Sequence, residues 1–465
     1  MRLSKIMLAA LVAFATTTGW AQNKGGIDAE MLGKLRDSYK HTPEEKALRN
    51  ALAGTDIQKL AANADVTTEV DAYFSHRVPT KGITDQQSSG RCWLFSGMNV
   101  LRAKMMAEYD LPECEFSQVY CFFYDQLEKA NLFLQGVVDT RHLPMDDKMV
   151  EWLFKNPLSD GGQFTGVADI IGKYGLVPRE VMNETFSANN TARIAFLIKL
   201  KLREYGLQLR ELPAKTKQAD IDKKKTEMLS TVYRMLARAF GEPPTEFSWT
   251  RKDAKGNPVE TKTYTPKSFY DEYIGDDLTG GYVMLMNDPS RPYYKLYEID
   301  YDRHAYDGAN WTYVNLPADD IKAMAIASIK DSTAMYFSCD VAKYLDSKKG
   351  TLDLRNYDYE SLMGTTFGMD KKQRIQTFAS GSSHAMTLVA VNLDAEGKPD
   401  RWLLENSWGA ASGYKGFLIM TDEWFDEYMF RLVVEKKYVP QNILDILKQE
   451  PTLLPAWDPM FAEDE

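Results

Sequence analysis

The stretch Gln86-Gln87-Ser88-Ser89-Gly90-Arg91-Cys92-Trp93 decides how this chain is interpreted. It places a cysteine six residues after a glutamine and at the start of a segment, 92–109, with helical periodicity and no internal proline. A helix N-terminus lowers the pKa of a thiol, and a glutamine amide can donate to a developing oxyanion. The stretch therefore predicts a cysteine hydrolase with Cys92 as the nucleophile. Gln86, or failing it Gln87, would donate to the oxyanion together with the Cys92 backbone N–H.

Two further motifs, in the chain order Cys, His, Asn, supply the partners that a catalytic thiol needs. His384 lies in Ser383-His384-Ala385-Met386, directly before a strand-like run, and Asn406 follows the next run. If these runs pair as a hairpin about a turn near residue 395, residues whose numbers sum to about 790 face each other. His384 should then meet Asn406, whose carbonyl accepts a hydrogen bond from one imidazole nitrogen and leaves the other for Cys92. Trp408 should cover that bond and exclude water from it.

Periodicity predicts an α+β fold with a helical first part and a strand-rich second part. We expect helices over 92–109, 117–134 and 165–174, with Ser117 and Gly175 as caps. Two long helices are expected between residues 185 and 245. The predicted strands are 282–286, 293–297, 311–316, 335–339, 386–392, 401–405, 417–421 and 432–438. Their spacing is typical of an antiparallel sheet or half-barrel.

The N-terminus predicts export. A short basic region precedes an apolar run over 6–15, and the small residues Gly19 and Ala21 stand before Gln22. This pattern is typical of a secretory signal peptide, residues 1–21, and implies a periplasmic or extracellular protein. A membrane anchor is the alternative, but the apolar run is shorter than the ~20 residues that span a bilayer. We expect no stable membrane insertion.

Charge and cysteine content exclude several classes of function. The net charge of −10 offers little attraction for nucleic acid. Four cysteines are few for an exported protein, so a disulfide scaffold is not expected, although Cys114 and Cys121 could in principle be bridged. No CxxC or HxxxH spacing points to zinc. We therefore expect no metal and no cofactor.

Together these motifs resemble the papain-like cysteine peptidases, and more narrowly their bleomycin hydrolase and aminopeptidase C branch. Ser89 stands where the papain pattern has a cysteine, three residues before the nucleophile, as in that branch. The resemblance runs from about residue 28 to residue 460. Its other motifs are Gly82-Ile83-Thr84-Asp85-Gln86, Asp160-Gly161-Gly162-Gln163, Glu405-Asn406-Ser407-Trp408-Gly409 and Leu454-Pro455-Ala456-Trp457-Asp458-Pro459-Met460.

The resemblance implies a papain-like architecture. A helical subdomain with an N-terminal arm, 22–184, would carry the nucleophile, and a β half-barrel, 261–440, would carry the histidine and asparagine. A helical insertion, 185–260, and a C-terminal arm, 441–465, complete the domains. It also implies that Cys92, His384, Asn406 and Gln86 are catalytic. Gly161 and Gly162 would let the substrate backbone approach, and Trp408 and Glu465 would join them in substrate binding.

Family members typically assemble as hexamers, with the C-terminal arm in the active-site cleft. The resemblance therefore implies a homo-oligomeric aminopeptidase acting on peptides, in which a terminal carboxylate pairs with the substrate ammonium group. This chain departs from the family in its export signal and in its longer, acidic end, Phe461-Ala462-Glu463-Asp464-Glu465. An endopeptidase with an open cleft is therefore an alternative, as is an inactive peptide-binding scaffold. We interpret residues 22–70 as a structural arm rather than a removable propeptide.

Overall fold

The chain divides into two compact units, residues 1–62 and 63–465. The computed structural model describes residues 25–66 and 70–460 of them, so the predicted signal peptide and Glu465 lie outside the described residues. In the first unit, the side chains of Asp28, Thr42 and Asp56 each accept a backbone N–H and begin a helix. These helices are α1 (Ala29–Ser38), α2 (Pro43–Gly54) and α3 (Ile57–Ala61).

The second unit begins with the helices α4 (Cys92–Glu108), α5 (Gln118–Thr140), α6 (Lys148–Lys155), α7 (Phe164–Tyr174), α8 (Thr191–Arg210), α9 (Gln218–Phe240) and α10 (Pro266–Tyr273), with a 3-10 turn at Arg179–Val181. Of these helices, α4, α5, α7, α8 and α9 lie close to predicted positions, whereas α6 and α10 were not predicted. Ser117 caps α5 by accepting the Tyr120 N–H at 3.2 Å, and Gly175 ends α7 with a φ of 76°, as predicted. Helix α5 continues to Thr140, beyond the predicted end at residue 134.

The strands of the described residues are β1 (His76–Arg77), β2 (Phe247–Lys252), β3 (Pro258–Tyr264), β4 (Tyr282–Met286), β5 (Lys295–Ile299), β6 (Thr312–Asn315), β7 (Met335–Cys339), β8 (Leu345–Asp346), β9 (Thr351–Leu352), β10 (His384–Leu393), β11 (Pro399–Glu405), β12 (Phe417–Thr421), β13 (Met429–Glu435) and β14 (Thr452–Leu454). Eight of these described strands lie close to predicted runs, namely β4, β5, β6, β7, β10, β11, β12 and β13, and the others were not predicted. Strands β4, β7 and β12 match their predicted bounds.

One large sheet dominates the second unit. Among the described strands its order is β14-β5-β6-β4-β13-β7-β10-β11-β12-β9-β8, and β1 pairs with β10. Most neighbours are antiparallel, but β12 and β9, β14 and β5, and β4 and β6 run parallel. The predicted antiparallel arrangement therefore holds for most pairs of neighbouring strands but not for these three.

Two elements of the second unit differ from the prediction. The hairpin of β2 and β3 follows α9 and crosses residue 260, the predicted end of the helical insertion. Helix α11 (Ala318–Lys330) lies between strands in a region predicted to be strand-rich. The other helical segments of this half are α12 (Tyr359–Met363), α13 (Lys371–Gln376), α14 (Asp422–Tyr428) and α15 (Gln441–Leu444), with 3-10 turns at Lys436–Tyr438 and Asp445–Lys448.

The sheet separates two hydrophobic clusters because successive side chains of a strand point to opposite faces. In β7, Tyr336 joins the cluster that contains α4, α5 and α7, whereas Phe337 and Cys339 join the cluster that contains α11 and α14. Helix α4 is buried around its whole circumference over its first three turns and packs against β10 and β7. The nucleophile motif is thus brought to the start of the strand that carries His384.

Candidate active site

Cys92 is the first residue of helix α4, as predicted. The positive end of the helix dipole therefore lies at the thiol, where it favours a thiolate. The preceding residue, Arg91, is buried and donates to Glu184 at 2.8 Å. Burial lowers the pKa of Arg91, and Glu184 opposes that shift. This ion pair fixes the loop that leads into Cys92.

Strand β10 brings His384 to Cys92. His384 is the first residue of the strand, and the next residue, Ala385, donates its backbone N–H to Cys92 Sγ at 3.4 Å. Both Cys92 and His384 are buried. Cys92 and His384, which lie far apart in the sequence, are thus neighbours in the folded chain.

His384 is oriented by Asn406. Its Nε2 lies 2.8 Å from Asn406 Oδ1, and the same oxygen accepts the Ser407 backbone N–H at 2.8 Å. The second contact fixes which end of the amide faces the ring, because only the oxygen can accept. Nε2 therefore carries the proton, and Nδ1 is the nitrogen that can exchange a proton with a substrate or a thiol.

The hairpin that joins these residues has a different register from the one predicted. Residues of β10 and β11 that face each other sum to 792 or 793, as in Thr387 with Glu405 and Val391 with Trp402. The predicted sum of about 790 was wrong because the turn lies further along the chain, with Gly397 at a φ of 81°, and two irregularities interrupt the pairing. The predicted contact of His384 with Asn406 is nevertheless present.

Trp408 lies against the imidazole, as predicted. The ring centroids of Trp408 and His384 are 4.7 Å apart, and the ring planes are 29° apart. Trp408 is half-buried. The indole therefore shields one face of the histidine, and a hydrogen bond that is kept from water is stronger than an exposed one.

Gln86 is buried and held on three sides. Its Nε2 donates to the Ser89 carbonyl at 2.7 Å, its Oε1 accepts from Ser407 Oγ at 2.6 Å, and its backbone N–H donates to the Ser407 carbonyl at 2.8 Å. These bonds tie the loop before Cys92 to the residue after Asn406. Since an amide carries two N–H groups, one of them can still donate to an oxyanion.

Gln87 is placed differently. It is exposed, its backbone has a φ of 55°, and its side-chain amide donates to Asp85 at 2.6 Å. An exposed amide that is engaged by a carboxylate is a poor oxyanion donor, so the geometry favours Gln86 of the two candidates.

The glycine pair lies in a buried turn before α7. A Cβ at Gly162 would stand 2.3 Å from His304 Cε1 and 2.8 Å from Trp93 Cδ2, so no side chain fits there. Packing against these rings thus requires a glycine at 162, independently of any substrate. The carbonyl of Gly161 accepts a hydrogen bond from Lys129.

Neither a disulfide nor a cluster of metal ligands is present among the described residues. All four cysteines lie in them, and none forms a disulfide, so Cys114 and Cys121 are not bridged. Within residues 25–66 and 70–460, no three His, Cys, Asp or Glu side chains are grouped so as to hold a metal ion. Among the described helices, none combines the length and the apolar character needed to cross a bilayer.

Comparison with known proteins decides the family. The model of the Peptidase C1-like family matches residues 26–461. The chain belongs to this family. It is 37% identical to bleomycin hydrolase from Homo sapiens over 95% of this chain and 99% of that protein. It is 35% identical to aminopeptidase C from Lactobacillus delbrueckii subsp. lactis, over 91% and 95% of the two chains. The crystal structure of PepW from Lactobacillus rhamnosis HN001 matches with a TM-score of 0.90 at 35% identity, covering 94% of this chain and 99% of that one.

As a member of the Peptidase C1-like family, the chain is a cysteine peptidase with a mixed α+β fold. Sequence reasoning missed several residues that support its site. Ser407 was noted only as part of a motif, and the ion pair of Arg102 with Glu405 was not foreseen. Asp125 and Lys129 are buried charges spaced four apart on α5, a signal that could have been found. Nothing near His304 in the sequence pointed to its contact with Asp125.

Proposed function

We propose that this peptidase is an exported, thiol-dependent aminopeptidase in which Cys92, His384, Asn406 and Gln86 are catalytic. The observation that carries the proposal is the contact of His384 Nε2 with Asn406 Oδ1, together with the Ala385 N–H donated to Cys92 Sγ. A nucleophile, a base and a group that orients the base are the three parts that covalent acyl transfer needs.

The reaction proceeds in two halves. The Cys92 thiolate attacks the scissile carbonyl, and Gln86 Nε2 and the Cys92 backbone N–H donate to the oxyanion. The C–N bond then breaks as protonated His384 gives its Nδ1 proton to the leaving amine, which leaves a thioester on Cys92. Next, His384 takes a proton from water, whose oxygen attacks the thioester. The C–S bond breaks, the acid product leaves, and the Cys92 thiolate and protonated His384 are restored.

The aminopeptidase specificity is supported by the names of the relatives and by the course of the C-terminal arm. Strand β14 pairs with β5, Asp458 binds Arg291, and the buried Met460 carbonyl accepts from Arg431 at 3.1 Å. The arm is thus anchored up to residue 460. Three of the last five residues are acidic. We propose that the Glu465 carboxylate pairs with the substrate ammonium group, and that Gly161, Gly162 and Trp408 contact the substrate.

The specificity is tested with matched substrates that differ only at the N-terminus. An aminoacyl amide with a free amino group should be hydrolysed at least about tenfold faster than its N-acetylated form, because a desolvated charge pair contributes more than 1.4 kcal/mol. Equal rates would contradict the exopeptidase proposal. Deleting residues 461–465 should then remove the preference and favour endopeptidase activity, whereas an unchanged preference would contradict control by the arm.

Export is tested separately from catalysis. If residues 1–21 are a signal peptide, the protein recovered outside the cytoplasm of its native cells begins at Gln22. An intact Met1 in the mature protein would contradict the proposal and favour retention in the cell.

A homo-oligomer, and by family resemblance a hexamer, is proposed on the basis of helix α8. Its solvent face carries four large apolar side chains that are exposed in the single chain, namely Phe196, Leu197, Leu200 and Leu207. A contiguous exposed apolar face is typical of an interface. Native mass spectrometry should give a mass six times that of the mature chain, and Leu200→Glu should lower it. A monomer in the wild type would contradict the assembly.

A further inference from the structure

A histidine–carboxylate pair lies behind Cys92, and the peptidase mechanism does not use it. His304 Nδ1 lies 2.5 Å from Asp125 Oδ1, and both side chains are buried. The other carboxylate oxygen lies 3.5 Å from Lys129 Nζ, one turn further along α5. Burial alone would raise the pKa of Asp125, but Lys129 and His304 outweigh it and hold that pKa below its ordinary value. Gln126 Nε2 also donates to this second oxygen at 3.1 Å, so the buried carboxylate is shared among three donors.

The lysine of this network also holds the chain segment 159–161. Lys129 Nζ donates to the Ser159 carbonyl at 3.1 Å and to the Gly161 carbonyl. Between them, the Asp160 carbonyl accepts from Trp93 Nε1 at 3.0 Å. Three consecutive carbonyls are thus bound by side chains of α4 and α5. The path of this segment is set by these side chains rather than by regular secondary structure.

The imidazole of His304 contacts Trp93 on one side and the glycines Gly162 and Gly166 on the other. Its ring centroid lies 4.6 Å from that of Trp93, the residue after Cys92. On its other side, a Cβ at Gly162 or Gly166 would lie 2.3 or 2.2 Å from His304 Cε1, so both glycines pack directly against the ring. His304 therefore fills the space between the nucleophile helix and the turn before α7.

We propose that His304 is a positioning residue that sets the substrate-binding edge at 159–162 relative to Cys92. By occupying one oxygen of Asp125, it keeps Lys129 on the carbonyls of Ser159 and Gly161. The proposal rests on the proposed function, in which the substrate backbone runs along Gly161 and Gly162.

The physical reason is the competition for Lys129. Without the imidazole N–H, the buried Asp125 carboxylate would keep only Lys129 and the Gln126 amide as partners, and an ion pair in a low-dielectric site strengthens steeply as the charges approach. Lys129 would move towards Asp125 and away from the Gly161 carbonyl. The edge at 159–162 would shift, whereas the start of α4 would remain in place because the first three turns of the helix are buried on all sides.

Two variants separate the hydrogen bond from the volume of the ring. His304→Phe keeps a ring but removes the N–H, and His304→Asn keeps an N–H donor near the position of Nδ1. Thermal unfolding of both variants and of wild type first establishes that each protein is folded, and alkylation rates are compared only among folded proteins. The readouts are the rates at which Cys92 is alkylated by iodoacetamide, which needs only the sulfur, and by a dipeptidyl chloromethyl ketone with a free amino terminus, which also needs the cleft.

The expected result is a selective loss. In His304→Phe, alkylation by the dipeptidyl reagent should slow by about tenfold to a hundredfold, while that by iodoacetamide stays within about twofold, because a small misplacement of the binding edge is costly only for a positioned ligand. His304→Asn should restore the dipeptidyl rate to within about threefold of wild type.

Equal slowing of both reagents in His304→Phe, no slowing in either, or failure of His304→Asn to restore the rate would each overturn the proposal. The ratio of the two alkylation rates does not depend on turnover. If the wild type does not hydrolyse peptides, the proposed function fails, and the alkylation ratio still decides the role of His304.

Discussion

Arg102, on the nucleophile helix α4, donates to the Glu405 carboxylate at 2.5 Å, one residue before Asn406. Both side chains are buried, and Arg102 also donates to the Gly82 carbonyl at 3.3 Å. Burial raises the pKa of Glu405, and Arg102 opposes the shift. This ion pair ties the helix that carries Cys92 to the strand that leads to Asn406.

Removing one member of this ion pair should lower the free energy of unfolding more than removing both members. Arg102→Met leaves a buried carboxylate without its cation, and we expect the free energy of unfolding to fall by about 3 kcal/mol. Arg102→Met combined with Glu405→Leu should recover at least about half of that loss. Urea denaturation followed by tryptophan fluorescence measures both. A loss below about 1 kcal/mol in Arg102→Met would show that the pair does not join the two elements.

The orienting role of Asn406 predicts a catalytic effect rather than a stability effect. Asn406→Ala removes the acceptor that fixes the His384 tautomer, so kcat on an aminoacyl amide should fall by about a hundredfold. Asn392→Ala is the matched control, because Asn392 lies on the same hairpin but binds Asp400 at 3.0 Å instead. Its kcat should stay within about twofold of wild type. Equal effects of the two substitutions would contradict the assignment of Asn406.

Substitution of the two adjacent glutamines should affect kcat very differently. Gln86→Ala should lower kcat by about a hundredfold or more, as loss of an oxyanion donor does. Gln87→Ala should leave kcat within about twofold, since that side chain is exposed and held by Asp85. Steady-state kinetics on one substrate decide between them. A larger effect at Gln87 would reverse the assignment.

Stability should depend on pH through Asp169, which lies on α7. Burial raises the pKa of this carboxyl to about 6, although the backbone of His304 and Ala305 donates to it. The unfolded chain titrates near 4. Between these values the folded state binds more protons, so the contribution of Asp169 to stability falls as the pH rises from about 4 through about 6.

Asp169→Asn removes the titrating carboxyl and with it the loss of stability between about pH 4 and about pH 6. Its free energy of unfolding should match that of wild type near pH 4 and exceed it by roughly 1–2 kcal/mol at pH 7.5. Chemical denaturation at the two pH values measures the difference. If the stability of the variant relative to wild type is lower at pH 7.5 than at pH 4, the folded protein favours the charged form of Asp169, which contradicts the prediction.

The sequence predicts the parts of this site that depend on local pattern. Cys92 at a helix start, His384 at a strand start and the contact of His384 with Asn406 are all predicted from motif and periodicity. The strand bounds of β4, β7 and β12 follow from short apolar runs flanked by turn residues.

What the sequence does not predict depends on irregular geometry or on distant partners. The hairpin register changes with a turn and two irregularities that no residue pattern marks. Strand β3 is exposed except at Tyr264, so it has no hydrophobic alternation to reveal it. The contact of His304 with Asp125 joins residues 179 positions apart, one in the loop between β5 and β6 and the other on α5.

The central claim is tested most directly by the hydrolysis rate of Cys92→Ala on an aminoacyl amide. Loss of the nucleophile should lower kcat by at least about a thousandfold. Cys114→Ala, which removes a half-buried thiol whose pKa burial raises to about 11, should retain wild-type activity. A Cys92→Ala protein that hydrolyses the substrate at more than a tenth of the wild-type rate would contradict the account.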